Sequence, residues 1–266
     1  MVLLLSRLLP QPLKHVLRGL MAPVIGFRVV KNWTVAVRKS SGYESKATIR
    51  SIIDSDPIAS NSESPVKYLS TRYQQIASAF LEGVADCGNS DRIRVLDIGG
   101  GLGDYYFLFE KFAPSLKLDW TIVETSAVCQ LAKNMSEWSP NISWTDSIHN
   151  VNYQFDIVLM SGVVQCVEHP YDFLFEAIQK GRFLIINRCP LIKSDRSLLC
   201  VLRPGFFESK GSYPIHMLSE TELIIYLRSR GQILSRWMVP EDVAVVRFKR
   251  IVHQGLTFRP NQRAAI

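Results

Sequence analysis

The chain has 266 residues, of which 47% are hydrophobic and 21% are charged. This composition excludes a collagen-like, coiled-coil or disordered protein, and the length suffices for one large domain with a substantial core. The five cysteines form no CxxC pair and have no histidine cluster beside them, which argues against a disulfide-stapled secreted domain and a zinc ribbon. We therefore expect a reducing, cytoplasmic compartment and no metal site.

The net charge of +7 is concentrated in an N-terminal arm, residues 1–43. The arm has seven basic side chains and no acidic one, whereas the other 24 basic residues are matched by 24 acidic ones. A body without net charge gives little reason to expect nucleic-acid binding. Within the arm, Pro12–Met21 predicts an amphipathic basic helix. Such a helix either packs on the domain, which is the commoner arrangement, or makes peripheral contact with an anionic membrane surface.

The rest of the chain predicts a helical extension over residues 44–90 and an α/β domain over residues 91–266. In the extension, Val66–Val84 has helical spacing and is expected to pack on the core. In the domain, short apolar segments alternate with helical patterns, which is typical of a mostly parallel sheet covered on both faces. The expected strands are 94–98, 118–123, 142–144, 155–160, 182–187, 232–238 and 243–248, and the expected helices are 103–112, 126–135, 171–180 and 219–230.

The last two predicted strands are joined by a short connection, Val239–Asp242, and should be antiparallel neighbours at one edge of the sheet. Before them, a segment with Pro204, Gly205, Gly211 and Pro214 predicts a loop. The fold class expected from this order is a Rossmann-like, doubly wound, seven-stranded, mostly parallel sheet with a helical N-terminal extension.

The first strand of this sheet runs into a glycine-rich turn that opens a helix. Dinucleotide-binding turns have the spacing G-x-G-x-x-G, but counted from Gly99 the third glycine is replaced by Asp104, whose charge would oppose a phosphate. The turn instead has an acid followed by alternate glycines, which resembles the first motif of class I methyltransferases. These enzymes use S-adenosylmethionine, a phosphate-free ligand with a cationic methionyl end. The turn residues expected to bind this cofactor are Asp97, Gly99, Gly100, Gly101 and Gly103.

Three further residues follow the neighbouring strands. Glu124 ends the second strand, where a carboxylate can accept hydrogen bonds from both ribose hydroxyls. Asp146 follows the third strand, where methyltransferases often hold the adenine amino group, although a solvated loop acid is an equal alternative. Ser161 ends the fourth strand, and the resemblance implies that it borders the methionine moiety and the sulfonium.

From Trp33 to Arg259 the chain resembles a family of bacterial class I methyltransferases of unassigned substrate that often accompany surface-glycan biosynthesis. The resemblance implies a small-molecule or glycan-type methyl acceptor. Two positions depart from the family pattern, since Asn187 replaces a more usual Asp and Cys166 replaces a tyrosine, and Asn187 could not act as a proton acceptor. The matching stretches are SGYE (41–44), LDIGGGLGDYY (96–106), DWTIVET (119–125), DIVLMSGVVQCVEHPYDFL (156–174), LIINRCPLI (184–192), YPIHMLSETEL (213–223) and GLTFR (255–259).

The candidate catalytic residues are polar groups near the carboxyl ends of the strands or on the late loop. His169 precedes Pro170 and is more simply a helix-start residue. Arg188 could bind an acidic or phosphorylated substrate or pair with a loop carboxylate. His216 could be a general base or a surface residue. Asn187 and Tyr213 complete the set.

Two other functions stay open at this stage. A Rossmann-like module without catalytic activity, binding a ligand or a partner, would explain the missing Asp at position 187. A nicotinamide oxidoreductase is a further alternative, but the glycine spacing argues against it.

Overall fold

The structure, a computed structural model, describes residues 26–46, 48–49, 71–88, 92–133, 140–203, 211–247 and 249–261. The predicted amphipathic helix Pro12–Met21 therefore lies outside the described residues. Within them, no helix is long and apolar enough to cross a membrane.

The described residues form ten strands that belong to one connected sheet. The strands are β1 (Gly26–Val29), β2 (Ile93–Ile98), β3 (Leu118–Val123), β4 (Ile142–Thr145), β5 (Phe155–Ser161), β6 (Gly181–Ile192), β7 (Leu198–Arg203), β8 (Tyr213–Ser219), β9 (Gly231–Val246) and β10 (Lys249–Pro260). The helices with described bounds are α1 (Trp33–Arg38), α2 (Thr71–Asp86), α3 (Asp104–Phe112), α4 (Ser126–Ala132), α5 (Pro170–Lys180) and α6 (Glu220–Arg228), with 3-10 turns at Ile148–Asn150 and Val164–Cys166.

Seven of the strands lie in the order β4-β3-β2-β5-β6-β10-β9. Strands β2 to β6 pair in parallel, and β10 runs antiparallel to both of its neighbours. Strand β2, the first strand of the α/β domain, thus lies near the middle of the sheet, and the order reverses between β2 and β5, which is where ligands bind in open α/β sheets. This arrangement confirms the Rossmann-like class.

The expected count of seven strands is wrong because the sheet is extended at one end by β1, β7 and β8. Strand β6 has 12 residues and outlasts β5, so its last residues, Leu191 and Ile192, pair in parallel with β8. Strand β7 pairs antiparallel with β8, and β1 with β7. Strand β7 ends just before Pro204 of the predicted late loop, and β8 begins at Tyr213, so Pro214 is in a strand and Tyr213 and His216 lie on β8. Pro204 and Gly205 lie outside the described residues.

The prediction that the last two predicted strands pair with each other is also wrong. Residues 232–238 and 243–248 fall mostly within one long strand, β9, and its antiparallel partner is β10, which follows it. The expected connection is a bulge instead. His253 of β10 pairs with Val239 and Val252 pairs with Val243, so that Pro240 to Asp242 bulge out of the ladder.

Two apolar clusters cover the faces of the sheet. Alternate residues of the central strands point to opposite faces, so that Val158 packs with α5 and α6, whereas Leu159 packs with α2 and α3. On the second face, Phe80 of α2 stacks on Phe109 of α3 with ring centroids 3.9 Å apart. Each fully buried side chain of this size contributes about 1.5–3 kcal/mol through its burial. The segment before the α/β domain thus completes one face of the core.

The chain before α2 is also tied to the extended end of the sheet by a clasp, which we define as residues 41–43 against residues 212–214. The Ser41 Oγ donates to the Ser212 carbonyl at 3.1 Å, and the Gly42 N–H donates to the same oxygen at 3.0 Å. The Tyr43 hydroxyl donates to the Pro214 carbonyl. Tyr43 of the clasp stacks on Tyr213 at the start of β8, which is parallel to β6.

Candidate functional site

The glycine turn between β2 and α3 has a backbone that few other residues could adopt. Gly99, Gly101 and Gly103 have φ values of +74°, +60° and +100°, in the left-handed region that favours glycine. At Gly100 the constraint is space, because a Cβ there would lie 2.5 Å from the Asp97 Cγ. The turn therefore folds back directly over the Asp97 carboxyl group. Its glycines have no side chains that would cover the turn at the edge of the sheet.

Asp97 is only 1% exposed and lies beneath this turn. The Trp120 indole N–H donates to its Oδ2 at 3.2 Å, and its Oδ1 has no hydrogen-bond partner among the described residues. Burial raises the pKa of Asp97 to about 8, and the nearby Glu124 and Asp104 carboxylates act in the same direction. A cationic ligand above the turn would favour the ionised form. In this conformation the Asp97 carboxyl group lies beneath the turn and contacts its backbone at Gly100.

Glu124 follows β3 and faces the same turn. Its Oε1 accepts from the Gly101 N–H at 3.1 Å, and its Oε2 accepts from the Thr125 N–H at 2.8 Å. Burial raises the pKa of Glu124, and the two backbone donors oppose that rise. The side chain is half-buried, and each oxygen keeps a second lone pair. The carboxylate is thus held at a fixed orientation with two acceptor positions left.

Asp146 lies after β4 and is exposed. The Ser126 hydroxyl donates to its Oδ2 at 3.1 Å, and the Asn150 amide donates to its Oδ1 at 3.3 Å. The start of α4 and the end of β4 therefore fix its position on the Glu124 side of the turn.

The helix that follows the turn begins with a carboxylate. Asp104 is the first residue of α3, and its Oδ2 accepts from the Tyr73 hydroxyl at 2.7 Å. In a dinucleotide-binding fold this helix N-terminus would hold the pyrophosphate. A negative side chain fixed at that position disfavours a phosphate and tolerates a neutral or cationic ligand.

Ser161 and Asn187 are paired across the ends of β5 and β6. The Asn187 amide donates to the Ser161 Oγ at 3.3 Å, while its Oδ1 accepts from the Trp237 indole at 3.1 Å. Ser161 shares a further hydrogen bond of 2.9 Å with the Tyr105 hydroxyl. Asn187 is 1% exposed, so both ends of its amide serve this buried network. The network thus fixes the orientation of the Ser161 hydroxyl.

Arg188 follows Asn187 in a left-handed conformation with φ +56°. The alternative of a partner carboxylate is realised, since its Nε donates to the Asp242 Oδ2 at 2.7 Å. Burial opposes the charge of Arg188, but Asp242 outweighs it and holds the pKa of the guanidinium above its usual value.

Tyr213 and His216 are three residues apart on β8, and side chains at that separation point to opposite faces. The Tyr213 ring stacks on Tyr43 of the clasp at 4.8 Å, and its hydroxyl and Arg188 influence each other's pKa. His216 instead stacks on Trp33 of α1 at 5.4 Å, and burial lowers its pKa. The structure thus brings Tyr213, but not His216, to the Arg188 side.

His169 is the N-cap residue of α5, directly before Pro170 at the first helical position. Its carbonyl accepts from the Phe173 N–H at 3.1 Å, as expected for a residue that begins a helix.

Four residues near this edge escaped the sequence reasoning as site residues: Tyr105, Trp237, Asp242 and His253. The one sequence signal for Trp237 is Gly255, because only a glycine there leaves room for the indole: a Cβ at Gly255 would overlap the ring. The bulge in β9 brings Asp242 and His253 to this edge, and no pattern in the neighbouring sequence predicts that bulge. Burial lowers the pKa of His253 to about 4, so it stays neutral beside the Arg188–Asp242 pair.

Two grooves lie away from the glycine turn. One, of about 1120 Å³, is lined by the first residues of β6, the end of β10 and the end of α2, at the amino end of the parallel strands. The other, of about 370 Å³, lies between α6 and the start of β9. Neither contains a residue of the glycine turn, Glu124 or the Ser161 network.

Comparisons with solved structures give likenesses in fold at low identity. The N-terminal domain of EvdMO1, solved with S-adenosylhomocysteine bound, is 16% identical with a TM-score of 0.48, over 74% of this chain and 85% of that chain. An S-adenosylmethionine-dependent methyltransferase from Clostridium acetobutylicum is 14% identical with a TM-score of 0.47, over 77% and 98%. The [4+2]-cyclase SpnF is 14% identical with a TM-score of 0.46, over 73% and 85%.

No protein-family model matches the sequence, and no curated protein matches it significantly. The fold class follows from the strand order, and the function has to be inferred from the residues at the carboxyl edge.

Proposed function

We propose that the protein is an S-adenosylmethionine-dependent methyltransferase that acts on a small molecule or a glycan-biosynthesis intermediate. The observation that carries the proposal is the Glu124 carboxylate, which two backbone N–H groups hold against a glycine turn whose helix begins with Asp104. This arrangement suits a ribose next to the turn and disfavours a pyrophosphate on it. The acceptor class follows the family resemblance in the sequence.

The residues fit the proposed cofactor on four counts. The buried Oδ1 of Asp97 has no partner among the described residues, and a sulfonium or an ammonium nearby would compensate its charge. The bare backbone of the turn allows close approach, and Glu124 has free lone pairs for the ribose hydroxyls. Asp146 would accept from the adenine amino group. When bound, S-adenosylmethionine supplies an electrophilic methyl group on a cationic sulfur.

The protein's own contribution is alignment and exclusion of water. Ser161, fixed by Tyr105 and Asn187, forms a rigid border at the end of β5, next to the left-handed Gly162. The clasp holds the start of β8 and packs on Tyr213, whose hydroxyl lies near Arg188 of β6. Holding an acceptor atom in line with the methyl group between these parts can supply much of the rate, because it replaces a bimolecular encounter by a fixed geometry.

Thermal unfolding with S-adenosylmethionine, S-adenosylhomocysteine and NAD tests the cofactor. We expect the first two to raise the unfolding temperature and NAD to leave it unchanged. The reaction is then tested by untargeted mass spectrometry of a cell extract, in which one compound should gain a methyl group. Cofactor binding without any methylated product would favour the non-catalytic module, and stabilisation by NAD alone would favour the oxidoreductase.

The basic arm supports a separate proposal of peripheral membrane contact for a cytoplasmic protein. The full chain should then sediment with anionic liposomes more than a variant that lacks residues 1–25 does. Equal sedimentation of the two proteins would exclude the contact.

A further inference from the structure

Arg188 lies in a bulge that interrupts the pairing of β6 with β10. Ile186 pairs with Leu256 and Cys189 pairs with Gln254, so that Asn187 and Arg188 together oppose the single residue Gly255. Bulges of this kind redirect a side chain and are common beside active sites. The bulge here sends the Asn187 amide into the Ser161 network and turns the Arg188 guanidinium toward Asp242 and Gly162.

Only the Nε of the Arg188 guanidinium donates a hydrogen bond to the described part of the protein. Its Nε donates to Asp242, which the bulge in β9 brings to this position. Within the described part of the chain, Nη1 and Nη2 donate no hydrogen bond, although they carry four N–H groups. The Arg188 side chain keeps 32% of its surface exposed while the Asp242 side chain keeps 17%. A fixed, partly exposed arginine whose Nη1 and Nη2 make no hydrogen bond to the described residues is suited to a bidentate anion.

The fork lies on the acceptor side of the proposed cofactor site. Nη1 is 3.5 Å from the position that a Cβ on Gly162 would take, directly beyond the end of β5. In the sheet order, Glu124 and the glycine turn belong to β3 and β2, whereas Arg188 belongs to β6. With strands about 4.8 Å apart, Arg188 lies roughly 14 Å along the sheet from the Glu124 strand. Tyr213, which stacks on Tyr43 of the clasp, lies on the same side as Arg188.

We propose that Arg188 binds a carboxylate or phosphate group of the methyl acceptor through Nη1 and Nη2, and that Asp242 is a positioning residue that orients this fork. The inference rests on the proposed function, because it places the acceptor beside the cofactor. It narrows the acceptor to an anionic molecule. The methionyl carboxylate of the cofactor has the same chemistry, and the experiment separates the two.

The first arm measures anion binding without turnover. Wild type, Arg188→Gln and the control Arg182→Gln, which changes an exposed arginine at the amino end of β6, are saturated with S-adenosylhomocysteine. Inorganic phosphate and acetate are then titrated by calorimetry. We expect Arg188→Gln to weaken the binding of at least one anion tenfold or more and the control to leave it unchanged. Equal binding by all three proteins, or no binding by wild type, would overturn the proposal.

The second arm distinguishes the donor's carboxylate. We expect Arg188→Gln to bind S-adenosylhomocysteine within threefold of wild type, which also shows that the variant is folded. A tenfold loss for S-adenosylhomocysteine but not for 5′-methylthioadenosine, which lacks the amino-acid end, would assign Arg188 to the cofactor and overturn the proposal. If wild type binds neither nucleoside, the proposed function fails, and the acceptor role of Arg188 fails with it. The anion titration on the free protein then shows separately whether Arg188 is an anion site.

Discussion

Substitution of Glu124 tests the proposed ribose contact at a single side chain. Each carboxylate oxygen already accepts one backbone N–H and has one lone pair left, so the geometry allows two hydrogen bonds to a ribose. A hydrogen bond to a charged group contributes about 1.5–3 kcal/mol. Glu124→Ala removes both, and since a factor of ten corresponds to about 1.4 kcal/mol, the affinity should fall roughly 10²- to 10⁴-fold.

Glu124→Gln gives an intermediate result for a physical reason. The amide keeps one acceptor oxygen but loses the charge and turns a donor toward either the Gly101 or the Thr125 N–H. We expect a loss of about tenfold or more, which corresponds to one charge-assisted hydrogen bond.

The assay is titration calorimetry of S-adenosylhomocysteine with purified wild type and variants. Glu110→Gln is the matched control, because Glu110 is an exposed acid on α3 that accepts only from the Tyr106 hydroxyl among the described residues. The control should bind as wild type does. Unchanged affinity of both Glu124 variants would refute the role assigned to Glu124.

Three further predictions follow from the same region. Burial raises the pKa of Asp97 to about 8, so the folded protein keeps a proton that the unfolded chain loses above about pH 4. The stability of the protein should therefore fall as the pH rises from about 4 to about 8. Asp97→Asn should flatten this decline in thermal unfolding, and parallel pH profiles of the two proteins would contradict the raised pKa. Gly100→Ala should abolish S-adenosylhomocysteine binding, because its Cβ would displace the turn from Asp97. Gly88→Ala, whose Cβ meets nothing within 4 Å, should bind normally although alanine is strained at the Gly88 φ of +76°; normal binding by Gly100→Ala would show that the turn is not used. His216→Gln should keep methyl transfer within threefold of wild type because His216 faces Trp33, and a 100-fold loss would restore it as a base.

The central strands and the glycine turn were predictable from the sequence because local signals agree there. The strand β3 runs over the predicted residues, and β2, β4 and β5 each differ by one residue at one end, since each is a short apolar run closed by polar or glycine residues. The placement of Asp97, Glu124 and Ser161 at one edge then follows from parallel topology alone.

The rest of the site depends on irregularities that a local pattern does not reveal. Pro240 to Asp242 have the composition of a turn, yet they are a bulge inside β9. The bulge at Asn187 and Arg188 becomes visible only through the pairing with Gly255, 67 or more positions away in the chain. Strands β7 and β8 were obscured by the glycines and prolines between them, because the sheet end that they extend is formed by residues distant in sequence.

The most direct measurement of the central claim is a crystal structure of the protein with S-adenosylhomocysteine. We predict the ribose hydroxyls at about 3 Å from the Glu124 carboxylate oxygens, with the homocysteine sulfur on the Ser161 side of the glycine turn. A nucleoside bound elsewhere, or a turn that stays closed to it at saturating concentration, would contradict the account.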